Sequence, residues 1–315
     1  MVKQQSFWVY LSISFAVLFW SLSFIWYKQA YVYFGPVSVI LMRLILSSVF
    51  LFPLAKLIKK LPKLRKHDLK YFLLLSFFQP FLYFLGESIG VKLISSTLAS
   101  VIVTTIPLFT PFIASRFFDE KISLLNYMGI ILSVIGVTLV VFYKGFDQQV
   151  EVSLTGLFMM ALAVAAALGY SVVVKKMTTR YNSVAIVTYQ NFIGIFYFLP
   201  IFFIFEYRHF VQVSFNLQVL WPIIELSVFA SSFAFIFFTY AIKYIGITRA
   251  NIFANLIPLL TAVFAYFMLG EAFTVYKVLG IFIVMGGLFL SQIQRRKQIM
   301  VINEPVAGAT PEKSS

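Results

Sequence analysis

The residues of this chain that could do chemistry are a few polar and charged side chains inside long apolar segments. Gln79, Tyr83 and Glu87 recur every fourth residue, so on a helix they form one stripe. Arg43 lies in the preceding apolar segment, about two turns from the segment end that Glu87 is also near. Opposite charges in an apolar medium are expected to meet. The spacing therefore predicts either a structural ion pair or a clamp in which Arg43 binds an anionic or carboxylate group.

Two further polar pairs share the helical spacing. Asn251 and Asn255 are one turn apart in a later apolar segment, and Ser100 and Thr104 hold the equivalent places in an earlier one. Polar stripes of this kind face protein or a watery cavity, not lipid. The pairs are predicted either to line a cavity or to join neighbouring helices by hydrogen bonds.

A proline follows each of these pairs. Pro107 comes after Thr104, and Pro258 comes after Asn255. Proline removes a backbone hydrogen bond from a helix and kinks or loosens it. Each proline is therefore either a packing kink or a hinge beside a binding site.

Three single residues complete the candidate set: Trp20, Gln190 and Glu225. Other aromatic residues crowd the end of the segment that holds Trp20, namely Trp26, Tyr27, Tyr31 and Tyr33. Most of these are expected to form an aromatic belt at a membrane surface, whereas Trp20 lies deeper and is an equal candidate for a binding surface. Glu225 is either a functional acid or an interfacial residue near a helix end.

The composition places all of these residues in a membrane protein. The chain is 61% hydrophobic and 11% charged, against about 45–50% and about 25% in soluble proteins. Cysteine is absent, which excludes disulfides, thiolate nucleophiles and cysteine metal sites. Both histidines, His67 and His209, fall in polar connecting segments. We therefore expect neither a metal site nor a cofactor.

Ten apolar segments approach the ~20 residues that a membrane-spanning helix needs. They are Phe7–Tyr27, Pro36–Leu57, Leu69–Val91, Ser95–Ser115, Leu124–Tyr143, Ser153–Val174, Val184–Phe205, Val219–Ile242, Ala250–Leu269 and Val275–Gln292. Nineteen Lys and Arg residues lie in the segments on the side of the N terminus and five on the opposite side. This bias predicts that both termini are cytoplasmic. The net charge of +14 then reflects topology and contact with anionic lipid, not nucleic-acid binding.

An internal duplication organises the chain. Between residues 92 and 136, 13 of 45 positions are identical to those 151 residues later, and Ile106-Pro107-Leu108 matches Ile257-Pro258-Leu259. Each copy holds five segments, an odd number, so the second copy enters the membrane from the opposite side. The predicted fold is an all-α integral membrane protein of two inverted five-helix repeats, residues 1–148 and 149–297, with a disordered cytoplasmic tail, residues 298–315.

The repeat also relates individual residues. Gln190 is the counterpart of Arg43 at an offset of 147, and Glu271 is the counterpart of Glu120 at an offset of 151. The two glutamates each follow a segment end and are expected to be structural, capping helices. Inverted repeats of this kind are typical of secondary transporters, whose substrate sites lie near the membrane midplane between the repeats.

Several short patterns carry a family resemblance: Trp20 before Ser21, Pro36 followed by Arg43, the twin segments ending at Glu120 and Glu271, and glycine-rich last segments. The glycines concerned are Gly129, Gly136, Gly280, Gly286 and Gly287. With these patterns the chain resembles the EamA-like members of the drug/metabolite transporter superfamily over residues 8–143 and 153–291. The resemblance implies ATP-independent transport, commonly export of amino acids, metabolites or drugs from bacteria across the inner membrane. It also implies that the glycine-rich segments are scaffold or homodimer surfaces.

The sequence leaves alternatives open about mechanism. An intramembrane enzyme is the second hypothesis, although no paired aspartates and no phosphate-binding Gly-Lys-Ser/Thr loop are present. Within transport, Glu87 and Glu225 are the acids inside apolar segments, so one of them is the expected proton carrier if export is proton-coupled. Uncoupled facilitated diffusion is the alternative. The expected partners are a small-molecule substrate and membrane lipids.

Overall fold

The computed structural model describes residues 2–109, 112–113, 124–142, 153–272 and 274–303, and throughout these residues the regular secondary structure is helical. The long helices, in chain order, are α1 (Val2–Ala30), α2 (Pro36–Leu57), α3 (Lys66–Leu93), α4 (Ser96–Phe109), α5 (Leu124–Phe142), α6 (Leu154–Met177), α7 (Ser183–Phe205), α8 (Leu217–Ala254), α9 (Ile257–Leu269) and α10 (Val275–Asn303). Each of these helices overlaps one of the ten predicted apolar segments. Six helices, namely α1, α2, α3, α6, α7 and α8, are long and apolar enough to cross a membrane. The apolar parts of the other four are shorter, so the count of ten crossings stays a prediction.

The helices pair according to the repeat. α2 packs on α7, α4 on α9 and α5 on α10, while α1 packs on α8 and α3 packs on α6. Adding five to each helix number maps every pair onto itself or onto another pair. The packing therefore has an approximate two-fold symmetry that relates the two halves of the chain. Apolar side chains of α1, such as Phe24, are fully buried in the largest cluster between the halves.

Glycines bring α5 and α10 into backbone contact. A Cβ atom on Gly136 would lie 2.8 Å from the Gly280 carbonyl oxygen, and one on Gly287 would lie 2.6 Å from the Gly129 carbonyl oxygen. These two approaches exchange when the repeat offset of 151 is applied. Small residues at such positions let helices approach closely, as the glycine-rich pattern predicts.

This close approach makes Gly287 sensitive to substitution. Gly287→Ala is expected to lower the free energy of unfolding by about 1–3 kcal/mol, because the added methyl group overpacks the contact with α5. Gly286→Ala is the matched control, since a Cβ atom there has its nearest neighbour, Leu132, at 3.9 Å. Thermal unfolding in detergent measures both variants, and equal melting temperatures would contradict the proposed contact.

Two helices are interrupted at matched positions before a proline. α4 breaks into a turn at Thr104 and Thr105, and the helical residues ending at Ala254 are separated from α9 by a turn at Asn255 and Leu256. These positions correspond at the repeat offset of 151. Pro258 lies in the first turn of α9, where a proline costs no hydrogen bond. The prolines therefore begin new helical segments, and their action as hinges stays a prediction.

Polar contacts near the helix ends mark the two ends of the bundle, which are called the distal end and the proximal end. At the distal end, Glu271 accepts a hydrogen bond from the backbone N–H of Ser96 at 2.8 Å. At the proximal end, Arg180 Nη1 lies 2.6 Å from Asp68 Oδ1 and Asn182 Nδ2 donates to the Lys60 carbonyl at 2.9 Å.

Three details depart from the sequence predictions. α3 contains a π-helical segment, Phe77–Leu82, in which Gln79 has extended backbone angles, so the stripe through Gln79 is not that of a regular helix. Pro80 is the physical reason, since it supplies no N–H to the turn before it. The backbone of 243–249, predicted as a connection, is helical. α10 runs to Asn303, beyond the predicted end of the second repeat at residue 297, and the disorder of the tail stays a prediction.

Candidate functional site

A cavity of about 110 Å³ lies between the two halves of the bundle. Its walls come from α1, α2, α3 and α4 of the first half and from α6, α8 and α9 of the second. Seven of the residues predicted from the sequence line it: Trp20, Arg43, Gln79, Tyr83, Glu87, Thr104 and Pro107. These seven residues come from four predicted segments of the first repeat, and lining residues of the second repeat face the same cavity.

Arg43 is the centre of a buried polar network at this cavity. Its side chain is 2% exposed, and its Nη1 lies 4.0 Å from Glu87 Oε2. Nη1 also donates to the Tyr27 hydroxyl, Nε donates to the Ser231 hydroxyl, and the guanidinium stands 4.1 Å from the centre of the Phe84 ring. A buried guanidinium needs a partner of opposite charge and several acceptors, and Arg43 has them.

Glu87 receives two phenol hydrogen bonds in addition to the ion pair. The Tyr83 hydroxyl donates to Oε1 at 2.9 Å and the Tyr27 hydroxyl donates to Oε2 at 3.3 Å. Tyr27 is fully buried, so it lies outside the aromatic belt that is expected for most of its group. Its buried contacts with Arg43 and Glu87 explain why, since a phenol buried in protein finds hydrogen-bond partners there.

The network continues into the second half through α7 and α8. Asn191 Nδ2 donates to the Ser47 hydroxyl at 2.8 Å and to the Ser231 carbonyl at 3.1 Å. The Ser47 and Ser232 hydroxyls lie 2.8 Å apart. Ser231 and Ser232 belong to a π-helical segment, Leu226–Ala234. α3 and α8 are repeat counterparts, and both are π-helical beside this network, a feature often found at functional sites.

The other predicted site residues do not line the cavity. Ser100 is fully buried and donates to the Thr97 carbonyl at 2.7 Å, which is a local bond within α4. Asn255 lies at the helix break, 6% exposed, next to the lining residues Ala254 and Ile257. Pro258 is buried just after that break. The side chain of Asn251, like all of Glu120, lies outside the described residues.

The hydrogen-bond partners of Gln190 and Glu225 show where these two residues lie relative to the cavity. Gln190 is fully buried and accepts a hydrogen bond from the hydroxyl of Tyr170, a cavity-lining residue, at 3.3 Å. It therefore supports the cavity wall from behind. Glu225 is partly exposed near the start of α8, with Trp221 as its hydrogen-bond partner. It is not among the lining residues, which favours the interfacial alternative for this acid.

Sequence reasoning missed most of the aromatic wall. The lining includes Phe24, Phe84, Tyr170, Phe235 and Phe238. One signal could have found Tyr170: at an offset of 150, Tyr170-Ser171 corresponds to Trp20-Ser21, and both aromatic residues line the cavity. The phenylalanines carry no such signal, because 38 of them are distributed along the chain.

The cavity combines an apolar body with one charged end. Among the lining residues of the described chain, Arg43 and Glu87 are the charged ones, and their charges balance. Trp20 stacks edge-on against Phe235 and Phe238, with ring centroids 5.2 and 4.8 Å apart. The described residues contain no group of three His, Cys, Asp or Glu that could hold a metal ion. Such a site suits the binding of a small molecule with a polar end.

A family model, the EamA-like transporter family, matches residues 7–142 and 154–292. The chain belongs to the EamA-like transporter family. Together with its six helices long enough to span a membrane, membership makes this a multi-pass transmembrane transporter. The matched regions include all the described residues that line the cavity.

Several proteins similar to this chain are named as transporters. An uncharacterized transporter of Archaeoglobus fulgidus is 22% identical over 90% of this chain and 97% of its own length. The uncharacterized transporters YdfC and YetK of Bacillus subtilis are 22% and 26% identical, covering 94% and 81% of this chain and 94% and 78% of their own. A solved crystal structure superposes with a TM-score of 0.65 at 13% identity, over 91% of this chain and 98% of that one. That likeness shows the fold.

Proposed function

We propose that this EamA-like protein is a secondary transporter that moves a small metabolite, amino acid or drug by alternating access around the central cavity. The observation that carries the proposal is the position of the cavity, between two pseudo-symmetric halves and beside interrupted helices. Inverted-repeat transporters bind their substrates at such a place. The distribution of positive charge supports cytoplasmic placement of both termini. Export across the inner membrane of a bacterium is proposed from the family resemblance.

The Arg43–Glu87 pair is the proposed recognition element for the polar end of the substrate. Arg43 supplies guanidinium donors and Glu87 supplies carboxylate acceptors, and both line the cavity. The aromatic side chains opposite them would hold an apolar body. A buried, self-neutralising pair of this kind favours a neutral or zwitterionic molecule over one with a large net charge, because an unbalanced charge would be costly there.

Flux measurements in liposomes test this proposal. A panel of amino acids, metabolites and amphiphilic drugs is offered to the purified protein without ATP, and at least one is expected to show saturable flux. Phe238→Leu should raise the substrate concentration for half-maximal flux several-fold, because a lost aromatic contact is worth about 0.5–1.5 kcal/mol. Phe237→Leu is the matched control, since Phe237 is the neighbouring residue on α8 and does not line the cavity.

Two results would count against transport around this cavity. One is chemical conversion of a substrate without net flux, which the enzyme hypothesis predicts. The other is an equal change of apparent affinity in Phe238→Leu and Phe237→Leu. That result would show that substrate affinity does not depend on this residue of the cavity wall.

A further inference from the structure

The distal end of the cavity is closed by contacts of α1. Lys28 Nζ donates to the Ile94 carbonyl at 2.6 Å, and the Tyr31 hydroxyl donates to the Ser88 carbonyl at 2.8 Å. These bonds fasten the end of α1 to the end of α3 and to the connection that leads into α4. The first half of the chain is therefore drawn together at this end.

The cavity extends toward the proximal ends of the repeat counterparts of these helices. α6 is the counterpart of α1, and α8 is the counterpart of α3. Val174 of α6 and Ile242 of α8 both line the cavity, so the space that is closed distally extends between this pair. Val174 lies three residues before the end of α6. Within the described residues, the cavity thus reaches toward the proximal end.

Glu271 joins the two halves across the closed end. Its Oε1 accepts a hydrogen bond from the Ser96 backbone N–H at 2.8 Å, and its Oε2 accepts one from the Thr97 hydroxyl at 2.8 Å. Lys277 Nζ lies 3.7 Å from Oε2. Glu271 follows α9, whereas Ser96 and Thr97 begin α4. A carboxylate is stabilised at a helix N-terminus by the free N–H groups and the helix dipole.

A second carboxylate at the same end makes a useful comparison. Glu206, which follows α7, accepts hydrogen bonds from the Val37 and Ser38 backbone N–H groups at 3.1 and 2.7 Å, at the start of α2. The corresponding contact at the proximal end is also made, between Asn182 before α7 and Lys60 after α2. α2 and α7 are therefore joined at both ends, and their contact does not distinguish a closed end from an open one.

We propose that Glu271 is the latch that keeps the distal end of the cavity closed, and that its release from Ser96 and Thr97 opens the cavity to the distal side. This inference rests on the proposed alternating-access function. The helical part of α4 between the latch and the break, Ser96–Val103, is the element that release frees. The interruption of α4 at Thr104 and Thr105 gives this part of the helix a point about which it can turn.

The absence of cysteine from the sequence allows a direct test with one added thiol. Ser23→Cys places it in the cavity wall, where Ser23 is 4% exposed. A membrane-impermeant maleimide is applied from each side of sealed vesicles in turn. Glu271→Gln is expected to raise the labelling rate from the distal side about tenfold, as loss of a charge-assisted hydrogen bond shifts a two-state equilibrium. Thr97→Val, which removes one of the two bonds, should raise it less.

Glu206→Gln is the matched control, and its labelling rate is expected to equal that of Ser23→Cys alone. Equal rates in Glu271→Gln and Glu206→Gln would overturn the latch, as would unchanged rates in both Glu271→Gln and Thr97→Val. Labelling needs no substrate, so the two proposals fail separately. Faster labelling without flux of any substrate would reject transport and keep the latch, whereas flux with unchanged labelling would reject the latch alone.

Discussion

Arg43→Gln is expected to lower the free energy of unfolding by about 3–5 kcal/mol and to abolish flux, because it leaves Glu87 buried without its charged partner. Both side chains are almost completely buried, at 2% and 6% exposure. Unfolding in detergent, followed by circular dichroism, measures the first effect, and flux in liposomes measures the second. Arg208→Gln, the same substitution at an exposed arginine, is the control and is expected to behave as the wild type.

The double variant Arg43→Gln/Glu87→Gln separates a structural ion pair from a substrate clamp. Removing both charges eliminates the uncompensated buried charge, so most of the lost stability should return. Flux should not return, because the polar end of the cavity can no longer recognise the substrate. A double variant that is both stable and active would show that the pair is structural and that substrate recognition lies elsewhere in the cavity.

Glu87→Gln is expected to abolish the dependence of flux on a pH gradient, with Glu225→Gln retaining it. The structure distinguishes these two acids, since Glu87 lines the cavity beside Arg43 and Tyr83 whereas Glu225 does not. A proton carrier must exchange its proton with the pathway and sense the substrate, and of these two acids Glu87 is the one that lines the cavity. Flux into liposomes is measured with and without an imposed pH gradient for the wild type and both variants.

Three outcomes of this experiment differ in meaning. Gradient dependence that survives in Glu87→Gln removes Glu87 as the carrier. Its loss in Glu225→Gln would give the role to an acid outside the cavity wall. A wild type that ignores the gradient would favour uncoupled facilitated diffusion, and the Arg43–Glu87 pair would then serve recognition alone.

The sequence predicted the charged residues of the candidate site better than its neutral polar residues, for a physical reason. A charge in a membrane segment is so costly that it needs a partner, which is why Arg43 and Glu87 could be paired before their distance was known. An amide or a hydroxyl tolerates several surroundings, so the same reasoning could not decide between cavity and interhelical contact. The structure places Thr104 in the cavity wall and Ser100 in a bond within its own helix.

Tyr27 shows what local pattern could not decide. Its position near a helix end favours the membrane surface. Tyr27 nevertheless contacts Arg43 and Glu87, because this part of α1 lies against α2 and α3. The break at Gln79 is a different case. Pro80 follows it in the sequence and is a signal for the break, whereas the four-residue spacing of the polar stripe favours a regular helix.

The sequence by itself determined that this is a helical membrane protein built from a duplicated unit, because lipid requires long apolar helices and a duplication leaves matched residues at a fixed offset. It also singled out the charged pair, since burial makes lone charges too costly. Only the tertiary structure decided which side chains share the cavity and that Glu271 caps a helix of the other half. Those facts depend on how each helix is rotated and which helices it contacts. The spacing of residues along a single helix determines neither its rotation nor its contacts.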